Sequence, residues 1–86
     1  MPTIALFYGI SIQMFYNDHL PPHFHASYGG DTAEISIESG EIIEGSLPRP
    51  ALRLVREWLD QRRSLLAVNW DRARAHEPLD RIEGLE

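Results

Sequence analysis

The stretch His23-Phe24-His25-Ala26-Ser27-Tyr28-Gly29-Gly30-Asp31-Thr32-Ala33-Glu34-Ile35-Ser36-Ile37-Glu38 decides the fold. A Gly-Gly pair between two alternating apolar–polar runs is the signature of a two-residue β-hairpin. A tight turn sets Tyr28 opposite Asp31, Ala26 opposite Ala33, His25 opposite Glu34 and Phe24 opposite Ile35. Side chains alternate between faces along a strand. This register therefore sends Phe24, Ala26, Ala33, Ile35 and Ile37 to the core, and His23, His25, Ser27, Glu34 and Ser36 to the opposite face.

Upstream, residues 3–8 and 10–16 read as strands around Gly9, with Ile10, Ile12, Met14 and Tyr16 on one face and Ser11 and Gln13 on the other. Asn17-Asp18 ends the second strand with turn chemistry, and Pro21-Pro22 enforces an extended connection without ladder hydrogen bonds. Downstream, Ser39-Gly40 is a further turn and residues 41–45 a short last strand. Ile42 and Ile43 cannot both face the core, which marks this strand as an edge or a bulge.

From Leu47-Pro48 the period changes to that of a helix. Pro48 and Pro50 suit a first turn, where a missing N–H costs little. Leu52, Val55, Leu59, Leu66, Trp70 and Ala73 then form one apolar stripe. The same stripe contains Arg62 and Asn69. The expectation is a bend or restart near residues 61–64, giving helices over 49–61 and 64–75. The alternative is that Arg62 runs its stem along the core and emerges. Pro78 stops the helix, and Leu79, Ile82 and Leu85 recur every third residue, so the tail is expected to lie against the body or against another chain. The fold class is α+β: a small antiparallel sheet of four to five strands packed against a C-terminal helical segment, one bent helix or two. It is expected to be a single domain, with residues 1–46 the sheet, 48–76 helical and 77–86 the tail.

Eighty-six residues bury only about 60–65% of their unfolded surface, too small a core for a deep enclosed pocket. An active site here is a surface groove or is completed by a second chain. With no cysteine, disulfides, thiolate catalysis and cysteine–zinc sites are excluded. The longest apolar run, Ile4 to Ile10, is too short to span a membrane and lacks the flanks of a signal peptide, so a soluble cytoplasmic protein is expected. The net charge of −5 is lopsided. Residues 1–48 carry six acidic residues and no Lys or Arg, whereas residues 49–81 carry all eight arginines against five acids. Charge divided in this way steers a partner or draws the two halves of the monomer together.

Three of the four histidines fall within seven residues, as His19-x3-His23-x-His25. A His-x-His pair on a strand points both imidazoles to one side, and a loop histidine can fold over them. Three such ligands with an open fourth position describe a catalytic zinc site, so His19, His23 and His25 are candidate ligands for a divalent metal such as zinc. Glu34, opposite His25, is placed to orient an imidazole or to act as general base. Without a metal, His23, His25 and Glu34 are candidates for acid–base cleavage of RNA. In that reading Arg53, Arg56, Arg63 and Arg74, within about 80° of helical arc, form a phosphate track. The same arginines have i,i+3 and i,i+4 acidic neighbours and also read as a solvated salt-bridge face. No aromatic residues interleave with them for base stacking. A third reading is structural: Pro-Pro fixes a shape, Asn17 and Asp18 cap turn N–H groups, and His19 or His23 bonds carbonyls. Trp58 and Trp70, about 120° apart on a helix, are core residues, at most one of them central on the stripe.

Several segments together resemble one family of short bacterial proteins. They are Met-Pro-Thr-Ile at 1–4, Asn-Asp-His-x-Pro-Pro-His-Phe-His-Ala at 17–26, Glu-Ser-Gly-Glu-Ile-Ile-Glu-Gly at 38–45, Ala-Leu-Arg-Leu-Val-Arg-Glu-Trp at 51–58, Asn-Trp at 69–70 and Glu-Pro-Leu at 77–79. That family is the domain of unknown function numbered 4160. Residues 60–64 depart from its pattern, in which a histidine and acidic residues stand, so the arginine patch is particular to this chain. The resemblance implies a bacterial cytoplasmic protein encoded beside a second small protein, as in a toxin–antitoxin pair, and it carries no catalytic role. The expected function is an interaction component of such a two-gene module, with Asn17, Asp18, His19, Arg53 and Arg56 on its binding surface. The alternative is a histidine-dependent, metal-assisted ribonuclease or phosphodiesterase. RNA and a second copy of the chain are the other partners considered; a membrane is not.

Overall fold

A computed structural model describes residues 3–16 and 18–85. Five strands and one helix follow in chain order: β1 (Thr3–Phe7), β2 (Ile10–Gln13), β3 (His23–Tyr28), β4 (Asp31–Ser36), β5 (Ile42–Gly45) and α1 (Arg49–Arg74). The strands form one antiparallel meander in sequential order. The β3–β4 register pairs Tyr28 with Asp31, Ala26 with Ala33, His25 with Glu34 and Phe24 with Ile35, as the Gly-Gly turn requires. The β1–β2 turn is Tyr8-Gly9, with both residues at positive φ (49° and 77°), the geometry that matches the twist of a two-residue hairpin.

One face of the sheet supplies Ile10, Ile12, Phe24, Ala26, Ala33 and Ile35, all buried. A bulge between Thr3 and Ala5 turns both Ile4 and Ala5 inward. β5 is an edge strand with a register shift opposite Glu34 and Ile35, leaving Ile42 half-buried and Ile43 exposed. The helix lays Ala51, Val55, Trp58, Leu59, Leu66, Trp70 and Ala73 against this face. Trp58 packs its ring against Phe7 and Phe24, with centroids 5.3 and 5.8 Å away. Both tryptophans are core residues, Trp58 fully buried and Trp70 nearly so.

The helix runs unbroken from Arg49 to Arg74, which corrects the expected restart at 61–64. The two polar residues on its stripe are matched by the tail that follows. Arg62 donates from Nε to the Glu83 carbonyl (3.1 Å) and from Nη2 to the Gly84 carbonyl (3.4 Å). Buried Asn69 donates to the Asp80 carbonyl (2.9 Å) and accepts from the Asp80 N–H (3.0 Å). A polar residue whose hydrogen bonds are made on the buried side needs no kink to reach water. The tail lies against the body: Ile82 is buried and its N–H donates to the Ile4 carbonyl (2.7 Å), while Trp58 Nε1 donates to the Glu83 carbonyl (2.7 Å).

The helix ends in a Schellman arrangement, with Glu77 N–H bonded to the Arg72 carbonyl (2.8 Å) and His76 N–H to that of Ala73 (3.3 Å). His76 takes the left-handed position usually given to glycine, at φ 59°. Among the described residues no helix is long and apolar enough to cross a membrane.

Candidate functional site

Strand β3 starts directly after Pro21-Pro22, and β4 runs beside it. Alternation puts His23 and His25 on the sheet face opposite Phe24 and Ala26, next to Glu34 of β4. The Asp18–Pro22 segment folds back over the start of β3, with the Pro22 carbonyl accepting from Ile37 N–H (3.0 Å). Asp18 and His19 are thereby brought to the same two strands.

The three histidines converge on the Asp18 and Glu34 carboxylates. His23 Nε2 lies 3.0 Å from Asp18 Oδ2 and 3.4 Å from Glu34 Oε1. His25 Nε2 is 3.1 Å from the same Asp18 oxygen. His19 Nε2 is 3.5 Å from Glu34 Oε1 and 3.7 Å from Asp18 Oδ1. The His19 and His23 rings stack at 4.7 Å, and His23 and His25 lie 5.2 Å apart. Trp70 stands 5.3 Å from His23, and Phe15 meets His25 edge-on at 4.4 Å.

Burial divides the histidines. The His23 side chain is fully buried, His25 and both carboxylates keep under a fifth of their surface, and His19 is 61% exposed. His23 is the first residue of β3, and both the returning loop, through the Pro21 carbonyl at 2.7 Å, and the Trp70 ring at 5.3 Å stand against it. Its Nδ1 lies 2.7 Å from the Pro21 carbonyl, and a carbonyl oxygen can only accept, so the ring proton is on Nδ1. In the neutral ring, Nε2 then turns a bare lone pair toward two carboxylates. Neither approach is a hydrogen bond, and His23 Nε2 and Glu34 Oε1 are both buried without a partner. An unpaired buried acceptor costs about 1–3 kcal/mol, so two in contact call for a cation or a proton between them.

Burial raises the Asp18 carboxyl pKa, but the hydrogen bonds from His25 and from the His19 N–H (2.9 Å), with the nearby imidazoles, outweigh it and leave the pKa lowered from its ordinary 3.8. Asp18 thus stays ionised at neutral pH and holds three neighbours at once.

Among the described residues, two sets of three ligand atoms gather closely enough for one ion each: Asp18, His23 and His25, and His19, His23 and Glu34. Asp18, rather than His19, joins the two strand histidines. Glu34 pairs with His25 in register, yet its carboxylate reaches diagonally to His23 and His19. Asn17 lies outside the described residues.

Arg53 and Arg56 are not part of this cluster. Together with Arg49 and Leu52 they line a shallow cleft of about 340 Å³ on the opening turns of the helix. From residue 53 to Trp70, beside His23, is about 25 Å along the axis. Arg56 donates from Nε to the Gly40 carbonyl (2.9 Å) and Arg63 to that of Ile37 (2.9 Å), tying the helix to the β4–β5 connection. Arg63 also pairs with Asp60 at 3.1 Å. The arginines that suggested a phosphate track are partly spent as staples. Reading by spacing also missed Trp70 and the Pro21 carbonyl, which depend on long-range packing and on loop closure.

The model of the family described as "Domain of unknown function (DUF4160)" matches residues 9–71, and the chain belongs to that family. No curated protein and no solved structure matches the chain.

Proposed function

We propose that this chain works through a partner, as the interaction component of a two-gene, toxin–antitoxin-like module in the cytoplasm. Asp18, His19, His25 and Glu34 form the surface that the partner meets. The observation that carries this reading is that the cluster is polar, pre-shaped and reaches solvent chiefly through His19, which is 61% exposed. Small-molecule sites are concave and bury most of their ligand, whereas two of the described clefts lie away from the cluster, lined by Tyr8, Leu54 and Leu85 and by the Arg49–Arg56 turns. A third, lined by Pro22, Ile37 and Trp70, borders His23 but is not lined by Asp18, His19, His25 or Glu34. The acidic sheet half favours a basic partner surface. Co-purification of the untagged chain with the neighbouring gene product tests the reading, with loss of the complex expected for His19→Ala. Absence of any complex at micromolar concentrations would contradict it.

A second reading is a histidine-dependent, metal-assisted ribonuclease or phosphodiesterase, favoured by the imidazole–carboxylate contacts at 3.0 and 3.1 Å. It expects RNA cleavage that His25→Ala abolishes; full cleavage by that variant would remove it.

A further inference from the structure

We propose that Asp18 Oδ2, His23 Nε2 and His25 Nε2 bind one first-row divalent cation of the zinc class, with Glu34 beside its open coordination positions. This site shares Asp18, His25 and Glu34 with the proposed partner surface, but a cation held by the isolated chain needs no partner, so zinc binding and complex formation are tested separately.

Two of the three ligand–ligand distances are those found around a metal, and all three ligand atoms lie within 4.8 Å of one another. With bonds of about 2.1 Å, adjacent ligand atoms stand roughly 3.0 Å apart in an octahedral and 3.4 Å apart in a tetrahedral site. Asp18 Oδ2 is 3.0 Å from His23 Nε2 and 3.1 Å from His25 Nε2. The second contact is a hydrogen bond that His25 Nε2–H donates to the ionised Asp18, and the cation would take the place of that proton. Hydrogen bonding does not account for the first contact, because His23 Nε2 is buried without a hydrogen-bond partner.

The surroundings of His23 are those of a ligand. Its Nδ1–H donates to the Pro21 carbonyl at 2.7 Å, which fixes the tautomer and aims the Nε2 lone pair at the carboxylates. The His19 N–H holds Asp18 Oδ1 at 2.9 Å, orienting the carboxylate so that Oδ2 faces the two imidazoles. A dication balances the Asp18 and Glu34 charges, both largely covered. Water on the ion can donate to Glu34 Oε1, giving that second buried orphan its partner.

The His19, His23 and Glu34 set cannot hold an ion at the same time, because it uses the same His23 lone pair. Its contacts are wider, at 3.4 and 3.5 Å, and His19 is mostly exposed. The donors are nitrogen and oxygen with no sulfur, two imidazoles and one carboxylate. Such a set suits first-row divalent ions over magnesium and calcium, which prefer all-oxygen shells.

The test uses untagged, chelator-treated protein and the chlorides of zinc, cobalt and magnesium. The expected result is one equivalent of zinc bound at micromolar affinity or tighter, and no competition by magnesium. Removing a group behind a metal ligand costs about 10–100-fold in affinity, so losing a ligand costs at least about 100-fold. Asp18→Asn and His25→Ala should each show that loss, while His76→Ala, whose histidine lies outside the cluster, binds as the parent does. If His25→Ala does not fold, the near-isosteric Asp18→Asn and the cobalt spectrum of the parent decide. A visible band changed from that of aqueous cobalt supports nitrogen ligation; an unchanged one refutes it. Substoichiometric uptake, or parental affinity in Asp18→Asn, would also overturn the site.

Discussion

Replacing Asn69 by alanine removes a buried side chain that joins the helix to the tail through two part-buried hydrogen bonds, to the Asp80 carbonyl at 2.9 Å and from its N–H at 3.0 Å. Each bond is worth about 1 kcal/mol net, and an orphaned backbone group costs about 1–3 kcal/mol. Asp80 is exposed, so water takes over part of that loss. The expected destabilisation is therefore about 2–3 kcal/mol. An 86-residue domain has a total stability of roughly 4–13 kcal/mol, so the loss is a large share of it. Urea unfolding followed by tryptophan fluorescence reads the effect directly, because the Trp58 indole is bonded to the Glu83 carbonyl in the same tail. Asp80→Ala is the control. It leaves the backbone bonds and removes only the pair with Arg72, whose partners are 37% and 66% exposed, worth about 1 kcal/mol at most. A variant within about 0.5 kcal/mol of the parent would refute the claim that Asn69 pins the tail.

Other substitutions probe separate parts of the account. The lowered Asp18 pKa gives a stability contribution that is present above the unfolded value of 3.8 and lost as pH falls through the lower folded value. In chelator, the stability advantage of the parent over Asp18→Asn should hold above pH 3.8 and shrink below it; a difference independent of pH contradicts this. His76→Gly relieves a left-handed residue at the helix end and should stabilise by about 0.5–1 kcal/mol, less whatever the Tyr16 stack contributes; thermal unfolding reads the sign. Gly45→Ala sets a methyl group against the Thr32 carbonyl at φ 82° and should cost about 2 kcal/mol or more in denaturant unfolding.

The hairpin at the centre of the sheet was legible because its information is local. The Gly-Gly turn and the alternation on both strands agree on one register, and a slip by one residue would expose Phe24 and Ile35. The unbroken helix was not legible, because Arg62 and Asn69 look like faults in an apolar stripe until their tail partners at 80–84 are known. Period alone cannot see partners eleven to twenty-two residues away. The candidate site falls between these cases. His-x-His and Glu34 followed from strand alternation. Asp18 as the shared acceptor and the burial of His23 depend on how the Asp18–Pro22 loop closes and on Trp70 arriving from the helix. The bonds of Arg56 and Arg63 to the Gly40 and Ile37 carbonyls fit neither the phosphate track nor the salt-bridge face, because backbone carbonyls leave no mark in a charge pattern.

The central claim is that a neutral His23 ring, protonated on Nδ1 by the bond to Pro21, offers Nε2 to a cation shared with Asp18 and His25. Long-range nitrogen–proton spectra of the imidazoles, recorded before and after one equivalent of zinc, test it most directly. The account predicts that Nε2 of His23 and His25 shifts while His23 Nδ1 keeps its proton and His76 is unmoved. Unmoved cluster nitrogens, or a His23 ring protonated at Nε2 and unaffected by zinc, would contradict it.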